Sequence, residues 1–357
     1  MMPQDISRRR FLGQVNCAAI SSLPMLSTIL NMNLAGSAAA ATADGSDYRA
    51  LVCLFMAGGM DTYNVLVPRG SAEYAQYASA RGKVALAQQS LLPINPQGLS
   101  GIQLGLHPGL ANVQSLFESG NAAFITNVGT LTEPLTKAQY NGTARRLPLG
   151  LYSHSDQQEQ WQTSTTTVRS AKGWAGKAAD LLGSLNSLNT VSMNVSLSGQ
   201  NIWQSGTGSF AYTVNTGGAV ALNGYSPTNT NRNSPIPLRT KAVDSQLALN
   251  YQNLLTESFN QSKAKAMEAF TLYNSATAQT LPNEAAYPKT HLADQLKRVA
   301  KTIAGRGSLG HKRQTFFIEY GGWDHHDNLI ASQARMLPEV DAAIKAFFDS
   351  LAALGMQ

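Results

Sequence analysis

Tyr48-Arg49-Ala50-Leu51-Val52-Cys53-Leu54-Phe55-Met56-Ala57-Gly58-Gly59-Met60-Asp61 reads as a strand that runs into a glycine turn and ends on an acid. From Tyr48 to Met56 the residues are mostly apolar without alternation, the pattern of a strand covered on both faces in a parallel sheet. The same order returns near the other end. Thr315 to Tyr320 is an apolar strand that feeds Gly321-Gly322-Trp323-Asp324-His325-His326-Asp327-Asn328. In open parallel sheets, ligands bind at the carboxyl ends of strands, where glycines permit tight turns and close backbone approach. Both turns therefore put a carboxylate at the edge where function collects, and the second adds two imidazoles and another acid.

Between the two turns the chain alternates. A short helix is expected over Leu110–Phe117 and a second buried strand over Ala122–Val128. Residues 156–184 read as helix in pieces, interrupted near Gly173, and Val191–Leu197 alternates as a half-exposed strand would. The Gly, Ser, Thr and Asn of Ser198–Pro237 predict loops and short antiparallel strands, an insertion or cap. Residues 240–275 predict one long helix. Leu292, Leu296, Val299, Ala300 and Ile303 share a helical face, and Leu337 to Leu354 mark an amphipathic helix ending at Gly355. Alternating strand and helix predict an α/β fold, a mainly parallel sheet flanked by helices. Such a fold expects a strand after the last helix, and none follows. Either the sheet is complete without it or the chain is a shortened version of a longer one.

Composition narrows the function classes. Of 357 residues 13% are charged and 43% hydrophobic. Disorder needs the reverse balance, and no run approaches the roughly 20 apolar residues of a membrane span. Ser7-Arg8-Arg9-Arg10-Phe11-Leu12-Gly13, a mildly apolar stretch to about Leu34, and Ala41-Thr42-Ala43 together read as a twin-arginine leader over residues 1–43. Such a signal engages the Tat translocon and predicts a periplasmic or secreted protein. Residues 44–357 would be a single domain. Without the leader the formal charge falls from +6 to +4, too weak a field to argue for nucleic acid. Cys53 would be the one cysteine left, so no internal disulfide is expected.

Asp and His offer oxygen and nitrogen donors suited to zinc or similar divalent ions. Carboxylates gathered from separate strands repel unless a cation or proton compensates. Asp61 alone reads better as a helix cap or turn residue, and Asp324-His325-His326 alone as a solvated turn. Their shared grammar is what favours metal or catalytic use. His326 stands two residues beyond Asp324, so in an extended segment their side chains share a face. In Leu151-Tyr152-Ser153-His154-Ser155-Asp156, Ser153 or Ser155 would start a helix, where backbone N–H groups favour an anion. A hydroxyl there could attack phosphorus or sulfur next to a metal, although capping is the commoner use of such a serine. Gly305-Arg306-Gly307-Ser308-Leu309-Gly310 spells a dinucleotide motif in the wrong context, after a helix and before a strand. Trp161, Trp174 and Trp203 read as packing, and His291 and His311 as surface residues.

Taken in order, the leader, Leu54 to Asp61 with Asn64 and Val67-Pro68, Leu106-His107-Pro108-Gly109-Leu110, Ser153-His154 and Gly321 to His326 resemble the family called domain of unknown function 1501. These are Tat-exported bacterial proteins similar to alkaline phosphatases and sulfatases, and the resemblance covers nearly the whole chain beyond the leader. It implies a metal-dependent hydrolase fold acting on small-molecule or polymer esters of phosphate or sulfate. By position, it implies Asp61, Asp324 and His326 as ligands of divalent ions (zinc first, then calcium, magnesium or manganese), with His325 beside them. It implies Ser153 as nucleophile, with His154 next to it. Relatives continue into further strands carrying an acidic Phe-Gly-Arg turn and a late His. A chain ending at Gln357 is then expected to have a half-built site, holding metal weakly or not at all. The competing class is a non-catalytic envelope protein that uses the same fold to bind a surface polymer or partner.

Overall fold

The protein is described by a computed structural model covering residues 47–98, 101–142 and 146–356; the leader expected over 1–43 lies outside the described residues. A five-stranded sheet has the spatial order β1 (Arg49–Met56), β8 (Arg313–Tyr320), β5 (Asn194–Ser196), β6 (Tyr212–Asn215) and β7 (Gly218–Ala219). β5 runs parallel to both β8 and β6, while β7 returns antiparallel to β6. A smaller antiparallel sheet orders β2 (Leu66–Pro68), β4 (Leu104–Leu106) and β3 (Leu92–Ile94). With helices flanking the sheet, the α/β expectation holds.

The core forms where β8 and β5 are sandwiched. Phe316, Phe317 and Ile318 are fully buried, each contributing roughly 1.5–3 kcal/mol relative to exposure. Phe317 packs with Trp203 and Ala175. Helix α8 (His291–Ala304) buries the predicted face of Leu292, Leu296, Val299, Ala300 and Ile303, and Thr290 caps it by accepting from the Ala293 N–H. It packs against α9 (Leu329–Ala353), the amphipathic helix expected near the end of the chain. α9 carries Pro338 in its interior, and the proline ring sits against Gly109, where a Cβ would come within 2.9 Å of it. One turn on, buried Asp341 caps another helix. Its carboxylate accepts from the Asn112 N–H (3.1 Å) and the Val113 N–H (2.8 Å) at the start of α2 (Ala111–Glu118), whose own N-cap, Leu110, has no side-chain acceptor.

Several expectations need correction. Among the described residues β1 is an edge strand with a neighbour on the β8 side alone, and its residues are exposed or half-buried rather than covered on both faces. Ala122–Val128 is not a strand: Ile125 is 85% exposed, and no strand among the described residues pairs with the segment. β5 is three residues long and buried throughout, not half-exposed. Residues 240–275 form two helices, α6 (Ile236–Leu247) and α7 (Leu254–Ala276), because Asn253 caps a fresh start. The segment 198–237 does contain an antiparallel pair, yet β6 also extends the main sheet. Buried Gln204 donates to Val195 O (3.1 Å) and Thr315 Oγ1 (2.9 Å), so the start of this segment is core rather than cap. His311 is buried, its Nε2 donating to Val191 O at 3.0 Å. Trp174 and Trp203 pack edge to face, as expected, whereas Trp161 is 47% exposed.

Candidate functional site

The carboxyl ends of β1 and β8 meet. Ala57 N–H donates to Tyr320 O (3.1 Å) and Trp323 N–H to Ala57 O (3.4 Å), so the two glycine turns lie back to back. Glycine is required at this contact. Gly58 has φ +120°, and a Cβ on it would stand 3.0 Å from the Asp324 backbone nitrogen. A Cβ on Gly59 would come within 2.6 Å of Asp324 Oδ1 and 3.2 Å of His154 Cε1. The first turn thus leaves its side-chain space to the acid of the second.

Asp324 gathers the imidazoles. Its Oδ2 lies 2.7 Å from His326 Nε2 and 3.2 Å from His154 Nε2. A carboxylate only accepts, so His326 Nε2 donates in its bond to Asp324, while His154 approaches the same oxygen at ion-pair distance. His154 is the first residue of α4 (His154–Thr163), and Ser153 is its N-cap. The Ser153 hydroxyl accepts from the Asp156 N–H (3.4 Å) and stands 3.2 Å from Ser155 Oγ. Asp156 is held below the usual carboxylate range, first by the Ser153 hydroxyl and then by Arg169, whose Nη2 is 2.8 Å away. Just upstream, Tyr152 takes a left-handed φ of +71°, uncommon for a bulky residue and the kind of strain that collects at functional sites. Asn328, at φ +54°, ends the second turn in the same way.

Asp61 has other partners. Arg81, the last residue of α1 (Ser71–Arg81), pairs its Nη2 with Asp61 Oδ2 at 2.7 Å, and Oδ1 accepts from the Tyr63 N–H at 3.0 Å. The capping use is therefore realised over Thr62–Asn64. His325 turns inward against Trp323, with its Nε2 3.3 Å from Met336 Sδ. α9 braces both turns along one face. Gln333 donates to Asp61 O (2.7 Å), Met336 meets His325, and Glu339 accepts from the Tyr320 hydroxyl (2.9 Å). Trp323 Nε1, His325 Nδ1 and Gln333 Oε1 are buried without a partner among the described residues, a cost native folds seldom carry without a functional reason.

Of the sequence candidates, then, Asp324, His154 and His326 are brought together, Ser153 begins the same helix as His154, Asp61 is tied to Arg81, and His325 faces the interior. Among the described residues no three His, Cys, Asp or Glu side chains are grouped so as to hold an ion. The donor chemistry still fits a divalent ion. One carboxylate oxygen and two imidazole nitrogens are donors of the kind zinc takes, although the 2.7 Å between Asp324 Oδ2 and His326 Nε2 is a hydrogen-bond distance, shorter than the spacing of donors around an ion. Arg81 was not singled out in the sequence; its place in the last turn of a helix gives no hint of a partner twenty residues upstream. Cys53, pushed up to about 11 by burial, is an unreactive thiol.

A family model described as protein of unknown function (DUF1501) matches residues 48–357. No curated protein and no solved structure matches the chain.

Proposed function

The chain belongs to the DUF1501 family, and from that premise and the site we propose that it is a metal-dependent hydrolase-like protein acting on phosphate or sulfate esters. Export through the twin-arginine route to the periplasm or beyond is part of the same proposal. One observation carries it: Asp324 Oδ2 flanked by the Nε2 atoms of His154 and His326 at the carboxyl edge of the sheet, with glycines clearing the adjacent space. Asp324, His154 and His326 would hold the ion. A divalent ion there would polarise the ester and lower the pKa of a nearby hydroxyl. Ser153 is the nucleophile candidate, positioned by the helix whose first residue already touches Asp324. The N-terminus of α4 would favour an anionic ester through the helix dipole, with the Asp156 N–H there already bonded to the Ser153 hydroxyl.

A second reading, a non-catalytic binding protein on the same fold, draws support from Arg81. Its guanidinium already compensates Asp61 at 2.7 Å, so the ion that the family resemblance implies at Asp61 lacks that ligand. The full chain titrated with zinc and with manganese is expected to bind one ion, lost in Asp324→Asn and His154→Gln. Turnover of aryl phosphate or aryl sulfate esters is expected to vanish in the same variants and in Ser153→Ala. Ion binding without turnover on any ester would favour the binding protein, and no ion binding at all would overturn both the metal site and the hydrolase.

A further inference from the structure

Arg69 follows β2 on the smaller sheet and is fixed from two sides. Its N–H donates to Gln103 O (2.7 Å), and its carbonyl accepts from Gln88 Nε2 (2.8 Å). The side-chain stem lies across Gly105, where a Cβ would stand 2.5 Å from Arg69 Cδ and 3.1 Å from Cγ. The absence of a side chain at Gly105 thus gives the arginine its track over the sheet. At the end of that track the guanidinium meets no carboxylate of the described residues. Among the described residues no ion pair reaches it, and its Nε is covered without an acceptor. Glu118, the acid of this corner, is spent on Asn95, accepting from its N–H (2.8 Å) and its Nδ2 (3.3 Å). A half-buried cation without a counter-charge is costly and is rarely kept without a use.

The same arginine lines a cavity of about 400 Å³, within the size range of small-molecule sites. Its accessible lining is more polar than apolar: Arg69, Asn95 and Gln103 stand beside Pro96, Ile102 and Leu104, and no acid lines it among the described residues. We infer that this cavity binds a small organic carboxylate, its head paired with the Arg69 guanidinium and its short body over Ile102 and Leu104, beside the amides of Asn95 and Gln103. The fork of an arginine matches a carboxylate in two parallel hydrogen bonds. A phosphate dianion would ask for further cations, which the lining does not supply.

Calorimetric titration of the full chain with hexanoate and with benzoate tests this. Saturable binding of at least one is expected, weakened on the order of tenfold or more in Arg69→Gln, since a hydrogen bond to a charged group is worth about 1.5–3 kcal/mol. Hexanamide, with the same body and no charge, is expected to bind the unaltered protein at least tenfold more weakly than hexanoate, a comparison that does not depend on the variant folding. Absence of saturable binding of both carboxylates, equal binding of hexanamide, unchanged affinity in a folded Arg69→Gln protein, or tighter binding of inorganic phosphate would each overturn the inference.

Discussion

The turn after β1 and the turn after β8 are written alike, Gly58-Gly59 leading to Asp61 and Gly321-Gly322 leading to Asp324, yet they do different work. In the first, the acid is half-buried, capped onto its own backbone and held by Arg81. In the second, the acid is 38% exposed and gathers imidazoles, one from its own turn and one from α4. The glycines divide in the opposite sense. Those of the first turn are packed against the second turn's backbone and acid, while Gly321 has nothing within 4 Å of its missing Cβ. One turn is thus the structural bed and the other the chemical surface lying on it. What an acid does is decided by what stands opposite, not by the letters around it.

The largest effect expected from this contrast is at Gly58. Gly58→Ala forces a side chain into φ +120° and to 3.0 Å from the Asp324 backbone nitrogen. Strain of that kind costs about 1–3 kcal/mol before the clash is counted, so a loss of about 3 kcal/mol in urea unfolding is expected. The matching Gly321→Ala should change stability by less than about 0.5 kcal/mol. Equal losses at the two glycines would erase the distinction between bed and surface.

Next in size is Arg81→Gln. The pair it breaks is partly covered, with side chains 16% and 25% exposed, so the cost should fall between that of a surface pair and that of a buried one, about 1–2 kcal/mol. A double-mutant cycle with Asp61→Asn should return most of that as coupling. The same variant sharpens the comparison chemically. Freed of Arg81, Asp61 becomes an available oxygen ligand, and titration with manganese should show added or tighter ion uptake. Unchanged uptake with full coupling energy would mean that the first turn is purely structural.

The sequence displayed this arrangement unevenly. β8, α8 and α9 were legible because long apolar faces at helical or strand spacing leave little choice of element. Ala122–Val128 has the letters of a strand, but an apolar run says nothing of whether a neighbour exists to cover it, and the same holds for the apolar letters of half-exposed β1. β6 was hidden in a stretch of polar residues, since its place in the sheet comes from pairing with β5 rather than from its own composition. At the site, the acid turns and His326 could be read from local spacing. His154 reaching Asp324, and Arg81 reaching Asp61, are consequences of tertiary packing that no local pattern carries. Ser153 was open between cap and nucleophile, and its realised bond to the Asp156 N–H is compatible with both uses.

Acid should separate the two regions as well. His107 stands behind the first turn, its N–H donating to Val65 O at 3.0 Å, and it is buried, as is His311. Burial pushes both imidazoles below their ordinary value of 6.5. Between that value and the lower folded ones, the unfolded chain binds more protons than the folded chain, so stability falls as pH falls through this window. The slope is at most about 1.4 kcal/mol per pH unit for each histidine. Urea unfolding between pH of about 7.5 and 5 should show the decline, and His107→Asn, whose amide oxygen can still accept from the Gly109 N–H, should flatten it. An unaltered slope would assign the acid sensitivity to His311 alone.

The smallest expected effect on folding is at His326, and its smallness is informative. The side chain is 78% exposed, and its described hydrogen bond is to Asp324, so His326→Gln should move unfolding by less than about 0.5 kcal/mol. If Asp324 and its imidazoles form a surface for binding an ion, that nearly silent change in folding should still weaken zinc uptake on the order of tenfold or more, the scale on which altered partners of metal ligands already act. The two readouts must part company at this residue. A variant that loses stability and keeps its ion affinity would make the second turn another brace like the first, and the contrast between them would be one of exposure alone.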